Sequence, residues 1–393
     1  MATPDYTILG AGVFGLTAAI ELSQRGFSVE VLNHGPIPDP AAASADISKI
    51  VRMEYGSDSF YMDIVDRCID SWHEWNRESP ELLYYETGFL LLCSESMDDP
   101  IQAYEKASYD QLLRQGKSPD RINSFDIASN FPMFNSDMYV DGFYHSRAGW
   151  ANASAVLKFL ARRCEQFGVV IKTGVQIVSS IHDNDRLVEL IDHQDGRHAV
   201  NELVACCGSF TPGLFGHYSD KLIPTGHPVF HLKTEADISL QPPEFPVFAA
   251  DISNTGWYGF PVHPQAGVVK VANHGKGIHQ TPPHAEHKDG PERRESLDAF
   301  LSKGIPALLD APCTYKRYCY YSDTPDGHFW IDRDDKLENL TVAAGGSGHG
   351  FKMAPALGRW IADAATNAQE VPTRFKRRKF SNDVANQEQA RPK

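Results

Sequence analysis

The sequence lacks any surplus of positive charge. Its 393 residues carry 37 lysines and arginines against 51 aspartates and glutamates, a formal charge of −14. A nucleic-acid binder would carry a basic footprint, and docking on anionic lipid asks for the same sign. Neither is therefore expected. Net charge alone names no partner, because it speaks to solubility and steering. A membrane-spanning run is missing too. The one long apolar stretch near the start, Tyr6 to Leu22, is too short and too glycine-rich. It has no cationic lead and no cleavage site, so it does not read as a signal peptide. The seven cysteines are odd in number and follow no framework spacing, which fits a reducing compartment better than a disulfide scaffold. There is no P-loop, no nucleophile elbow and no internal repeat. His279, His284 and His287 share a polar stretch without a cysteine partner or ligand spacing, so no metal is expected. Arg391-Pro392-Lys393 is not a peroxisomal address, and a cytoplasmic location is the expectation.

What is present is a chain of ordinary globular make-up. At roughly 150 residues per domain, its length suggests two or three domains. Tyr6-Thr7-Ile8-Leu9 reads as a buried strand, Leu16 to Arg25 as a helix closed by Gly26, and Ser28 to Leu32 as a second strand. A Pro/Ala-rich loop follows over 36–45. Residues 60–78 read as a helix with Trp72 and Trp75 on its apolar side. The short aromatic and apolar runs over 84–145 suggest strands of another layer. Helical signals return at 153–166, then strands at 168–172 and 203–208. Successive strands separated by prolines fill 216–275, and 278–296 reads as an exposed loop. The last unit is the strand Leu340 to Ala344, a glycine-rich turn and a helix from Met353 to Ala365. The basic run from Arg374 to Lys379 reads as a solvated or frayed end.

The glycine turn carries the first chemistry. Gly10, Gly12 and Gly15 sit between a strand and a helix, with Val13 and Phe14 inside the motif. The first glycine makes the turn, the second admits a pyrophosphate to the backbone, and the third lets helix and strand pack closely. The helix N-terminus then offers N–H groups and a positive dipole end to the phosphates. The second strand ends in Asn33-His34, where a carboxylate for the ribose hydroxyls is usual. An amide holds a hydroxyl less strongly than a carboxylate does. This weakens a nicotinamide reading more than an FAD reading.

Further segments complete a pattern: Lys49-Ile50-Val51-Arg52, Tyr258-Gly259-Phe260-Pro261, Cys319 ahead of Asp323-Thr324-Pro325-Asp326, and Gly345 through Lys352. With the glycine turn, and in this order over nearly the whole chain, they resemble the D-amino-acid-oxidase-like flavoproteins. Within these they resemble the monomeric sarcosine oxidase and fructosyl amino acid oxidase (amadoriase) group. The resemblance implies FAD, joined by a thioether from Cys319 to the flavin 8α-methyl, with Lys316 and Arg317 near enough in sequence to favour the thiolate. It implies that Gly346, Gly348, His349, Gly350, Phe351 and Lys352 form the turn at the pyrimidine end of the flavin, where N–H groups stabilise negative charge. Arg52 and Lys352 would hold the substrate carboxylate, the arginine through its planar fork. Lys49 departs from the sarcosine oxidase pattern, which has arginine there, and agrees with the amadoriases. Lys270, nine residues after Pro261, would lie over the other flavin face and favour electron transfer to O2. Tyr258, His274 and Tyr321 would shape the substrate pocket. Ser44 would join the cofactor site, Val175 would bind adenine through two main-chain hydrogen bonds, and Gly208 would pass close to the cofactor.

The fold expected is α/β (α+β): a Rossmann-like FAD-binding domain interleaved with a β-sheet substrate-binding domain. The first would span 1–85, 146–215 and 306–393, and the second 86–145 and 216–305. The activity expected is oxidation of the C–N bond of an amino acid or secondary amine, whether N-alkyl, N-fructosyl or cyclic. Hydride would pass to flavin N5, the imine would hydrolyse, and O2 would be reduced to hydrogen peroxide. Its partners would be that small molecule and O2, and a monomer is expected. Two alternatives stand beside it. One is a flavin-dependent amine dehydrogenase or natural-product tailoring enzyme that does not use O2. The other is a catalytically silent flavin-binding protein.

Overall fold

The first strand, β1 (Tyr6–Leu9), is buried over its whole length, and the core is built outward from it. A computed structural model describes residues 3–234, 240–279, 292–368 and 371–380. β1 lies in a six-stranded sheet in the order Trp330–Arg333, Leu340–Ala344, Glu202–Ala205, β1, β2 (Val29–Asn33), Val170–Thr173. Five of these strands are parallel, and Trp330–Arg333 closes one edge antiparallel. Helices cover parallel sheets on both faces, so the central strands read as continuous apolar runs. Helix α1 (Val13–Gln24) crosses from β1 to β2 and packs on helices Ala153–Gln166 and Ala354–Thr366. It begins three residues before the expected Leu16. That early start requires Gly15, because a Cβ there would collide with the Gly10 carbonyl.

The larger sheet follows the order Ile278–His279, Ile223–Lys233, Val268–Asn273, Trp257–Gly259, Val247–Ala250, Phe89–Cys93, Asp141–His145, Asp120–Asn123. Cys313–Asp323 pairs antiparallel with Ile223–Lys233 along its length. That strand falls within 306–393, yet its partner belongs to the larger sheet. A small sheet joins β3 (Ser48–Val51) to Gly149–Asn152 and Tyr84–Tyr85. It leaves Lys49 and Arg52 between the two large sheets. Helix α2 (Ser59–Glu78) is started by Asp58, whose carboxylate accepts from the Phe60 N–H, and it buries Trp72 fully.

Three expectations are corrected. The stretch 84–145 also holds the helices Ala103–Arg114 and Ser124–Asn130. The second opens with a reciprocal capping box between Asn123 and Asp126. The loop expected over 278–296 contains a strand at Ile278–His279 and the start of the helix Glu292–Gly304. Its middle, with His284 and His287, lies outside the described residues, as does Arg391-Pro392-Lys393. The basic run is docked rather than frayed. Phe375 is wholly buried against Phe60, Phe329 and Trp360. Arg374 meets Asp58 at 2.7 Å, and Arg378 grips Asp326 with two nitrogens at 2.5 and 2.6 Å. One aromatic ring with a cavity to fill and two arginines with carboxylates in reach outweigh the polarity of the run. Among the described residues no helix is long and apolar enough to cross a membrane.

Candidate active site

The glycine turn at the carboxyl end of β1 opens onto a cavity of about 460 Å³. Every site residue named from the sequence lines it except Gly15, which packs beneath the turn, and Cys319. Gly12 caps α1 without a side chain, and the Val13 N–H is met by Ser44 Oγ at 3.1 Å. An oxygen acceptor thus already sits on the first helical turn, as a phosphate oxygen would. Asn33 lines the cavity, but its carboxamide braces the turn: Oδ1 accepts from the Ala11 N–H at 2.8 Å, and Nδ2 donates to the Gly35 carbonyl at 2.8 Å. Val175 also lines it. Its N–H donates to the Asn33 carbonyl at 3.0 Å, so the two main-chain hydrogen bonds expected towards adenine reduce to its carbonyl at most. His34 and Gly208 complete this end. A bare-backbone turn, a helix N-terminus carrying an acceptor and a cavity running on to a cluster of cations fit FAD.

The far end is built by β3, by the strands Trp257–Gly259 and Val268–Asn273, and by the turn before the helix Ala354–Thr366. Gly348 in that turn has φ +78°, and a Cβ on it would strike the Tyr321 ring. Tyr321 stacks on His227, with 4.0 Å between ring centroids, and approaches His274 at 5.7 Å. Burial raises the Tyr258 hydroxyl above its ordinary pKa.

Two basic residues face this end without a carboxylate partner among the described residues. Arg52 donates to the Glu54 carbonyl and to Tyr104 Oη at 3.4 Å. The Glu54 carboxylate is held instead by His145, at 2.8 Å. Burial works to raise Glu54, and His145 and Arg52 more than offset it, so the carboxyl stays below its usual range. Lys352 donates to Tyr55 Oη at 3.2 Å, and its ammonium lies 4.9 Å from the centroid of that ring. Burial, and then Arg52, push Lys352 well below the usual lysine range. The hydrogen bonds continue from Tyr55 to His349 Nδ1 at 3.0 Å, and His349 Nε2 meets the Gly327 carbonyl at 3.0 Å. A carbonyl only accepts, so the proton of the neutral ring sits on Nε2 and Nδ1 takes the Tyr55 hydroxyl proton.

Lys270 and Lys49 form a second cluster. Lys270 Nζ donates to Asp46 Oδ2 at 2.7 Å and to the Ser48 carbonyl at 2.6 Å. Lys49 Nζ lies 3.7 Å from Asp46 Oδ2 and 3.6 Å from Cys319 Sγ. Cys319 sits behind the wall, packed with Ala43, Tyr258 and Tyr321. Burial raises the thiols of Cys68, Cys93, Cys164, Cys206 and Cys207. At Cys319 burial acts the same way, but Lys49 and Arg317 outweigh it and the thiol is lowered.

The sequence reading assigned no role to Asp46, Tyr55 or His231. Asp46 carried a signal, an acid three residues before Lys49. Tyr55 and His231 carried none, since only the fold brings them to Lys352 and to Asp46.

A Rossmann-like sheet whose glycine turn opens on a cavity shared with a second large sheet defines a dinucleotide-dependent oxidoreductase architecture. The profile of the FAD dependent oxidoreductases (DAO) matches residues 5–364, and the chain belongs to that family. It is 27% identical to L-saccharopine oxidase of Schizosaccharomyces pombe, over 90% of this chain and 88% of that one. It is 24% identical to monomeric sarcosine oxidase of a Bacillus species, over 93% of each. Among solved structures, fructosyl peptide oxidase from E. terrenum superposes with a TM-score of 0.84 at 18% identity, covering 100% of this chain and 95% of that one. Amadoriase I from Aspergillus fumigatus gives 0.79 at 21%, over 95% and 89%. At these identities the structures speak for the fold.

Proposed function

We propose that the protein is an FAD-dependent oxidase of the C–N bond of an amino acid bearing a substituted nitrogen. The observation that carries this is the pair Arg52 and Lys352, two buried basic side chains on one cavity, neither in a salt bridge with a carboxylate among the described residues, since Glu54, whose charge acts on both, is bonded to His145. Buried charge is retained where something pairs with it, and a substrate carboxylate is the natural complement. Arg52 offers the planar fork, and Lys352 a point charge held by Tyr55. The chain Lys352–Tyr55–His349–Gly327 fixes where that charge stands. Carboxylate binding would in turn restore the lysine's proton affinity, which burial has lowered. The names of the relatives point the same way, since saccharopine and sarcosine are both secondary amino acids.

Gly10 to Gly15, Ser44, Val175 and Gly208 would hold the nucleotide part of FAD, and Gly346 to Lys352 the flavin. Bound FAD would supply the electron-accepting ring that takes the hydride from the amine carbon. Cys319 would anchor it, with Lys49 and Arg317 keeping the sulfur nucleophilic. Tyr258, His274 and Tyr321 would form the wall that keeps water from the amine. Lys270 would supply positive charge where O2 is reduced to hydrogen peroxide. The sheets support the interleaved two-domain division, with the cavity between them.

The test is anaerobic bleaching of the holoenzyme by N-methyl, cyclic secondary and N-fructosyl amino acids, each beside its carboxamide. The acids should bleach the flavin and the amides should do so far more slowly; peroxide should appear on admitting air. Equal rates for acid and amide would remove Arg52 and Lys352 from their role, and bleaching without peroxide would make the enzyme a dehydrogenase.

A further inference from the structure

We infer that Asp46 is a positioning residue, whose buried carboxylate fixes the Lys270 ammonium on the cavity wall and keeps it charged, with His231 steadying the carboxylate from behind. The inference rests on the proposed part of Lys270 in the reaction with O2.

Three observations carry it. Asp46 and Lys270 are joined at 2.7 Å, and their side chains are only 1% and 2% exposed. The carboxylate is itself held: Oδ1 accepts from the Ile47 N–H at 2.8 Å and faces His231 Nε2 at 3.3 Å. Asp46 and the Ser48 carbonyl take two of the three ammonium hydrogens, so Nζ has a fixed place. The third hydrogen has no acceptor among the described residues, on a side chain that lines the cavity. A pair serving the fold alone would gain nothing by standing in the wall of the reaction cavity. Replacing a buried ion pair by apolar side chains is often neutral or stabilising.

The titratable groups around Lys270 come from several elements. Asp46 reaches it from the loop before β3, Lys49 from β3, Cys319 from Cys313–Asp323, His231 from the facing strand and His263 from the turn before Val268. Burial drives Lys270 down to about 8, and Asp46 is the largest influence against that fall. Lys49 pushes it further down, and Cys319 pulls up only while it is a free thiolate. Without the Asp46 charge the ammonium would lose its proton at a lower pH. A lysine is charged below its pKa, so the step that uses the charge should be fast below that value and fade above it. Each unit of downward shift leaves about a tenth as much ammonium at a pH above both values.

The experiment is stopped-flow reoxidation by O2 of the substrate-reduced holoenzyme, from about pH 6 to 9. O2 gains two electrons and two protons in this step and leaves as H2O2. Wild type, Asp46→Asn, Asp46→Glu, His231→Gln, Lys270→Met and the double variant Asp46→Asn/Lys270→Met are compared with their anaerobic reduction rates. The expected result has four parts. In Asp46→Asn reoxidation fades at lower pH than in wild type and, for a shift of about one unit, is about tenfold slower at pH 9, a larger loss than in reduction. Asp46→Glu recovers part of it. His231→Gln shifts the profile the same way by less. The double variant is no slower than Lys270→Met. Lys270→Met at the wild-type rate would show that the proposed role of Lys270 is wrong. Lys270→Met slow, with Asp46→Asn at the wild-type rate or slowed equally at every pH, would overturn the inference alone. So would further slowing in the double variant. If Asp46→Asn does not retain flavin, Asp46→Glu and His231→Gln decide: unshifted profiles in both overturn it.

Discussion

At the scale of single residues, the contrast among cysteines is the sharpest chemical signal. Four buried thiols and the half-buried Cys207 are pushed up by burial, as an apolar surrounding dictates. Cys319 is as deeply placed, at 3% exposure, and is shifted down. The difference is two neighbours, Lys49 Nζ at 3.6 Å and the Arg317 guanidinium, which is itself anchored on the Pro40 carbonyl at 2.8 Å. A thiolate is the nucleophile in sulfur chemistry, so a cation pair beside one buried thiol selects it from the other cysteines. From this follows a prediction for the flavin. Acid precipitation of wild-type protein should leave the yellow colour in the pellet. Cys319→Ala should release it to the supernatant while the folded variant still binds FAD. Colour retained in the Cys319→Ala pellet would put the attachment elsewhere.

At the scale of elements, the docked segment at the end of the described chain is the part whose character changed most. Phe375 contacts Phe60 on α2, Phe329 and Trp360, with ring centroids 5.6, 4.9 and 5.2 Å away. It thereby joins α2 to the last helix close to the turn that carries His349, whose ring stacks on Phe329 at 4.9 Å. Truncating a fully buried phenylalanine commonly costs about 3–5 kcal/mol. Phe375→Ala should therefore lower the denaturant midpoint clearly, with the slope unchanged, and a shift worth less than about 1 kcal/mol would mean the segment is not held. This is also where legibility in the sequence ended. β1, α1, β2, α2 and Ala153–Gln166 were readable because period and punctuation agreed: buried runs, a glycine turn, an apolar stripe. Ser124–Asn130 was missed because seven residues hold too few turns for a period. Its Asn123–Asp126 box was the available sign. The Arg374 to Lys379 run misled because composition says nothing of distant carboxylates at Asp58 and Asp326. The site divides in the same way. Motif residues could be found because they carry the family resemblance, whereas Tyr55 and His231 act across 297 and 185 positions of sequence from Lys352 and Asp46.

At the scale of the whole molecule, the formal charge of −14 and the local chemistry pull in opposite directions when acid is added. Protonating exposed carboxylates relieves self-repulsion and favours the compact state. Against this stand Asp46, Glu54, Asp66, Asp141, Asp326 and Asp334, each held below its ordinary pKa by partners that outweigh the effect of burial. Glu105 is the exception, raised by burial, and works the other way. For the six, the unfolded chain binds protons first as pH falls. Their stabilisation is complete above the unfolded values, 3.8 for Asp and 4.5 for Glu, and is lost as pH falls below them towards the folded values. The two effects therefore act in different windows. Between about pH 7 and 5 the unfolding temperature should change little, because easing repulsion raises it while the buried His263, lowered to about 4, costs stability as the unfolded chain binds that proton first. Below about pH 4 it should fall steeply, because paired and buried carboxylates must take up protons. Salt separates the two causes. At about 0.5 M the Debye length shrinks to a few ångströms, which should remove the repulsive contribution to the upper window and leave the loss from His263. The drop below pH 4 should persist, since Asp46 and Glu54 sit where ions do not reach. Calorimetric scans from pH 7 to 3 at low and high salt measure both. An unfolding temperature that keeps rising down to pH 3 would mean that repulsion, not the buried pairs, governs the acid limb.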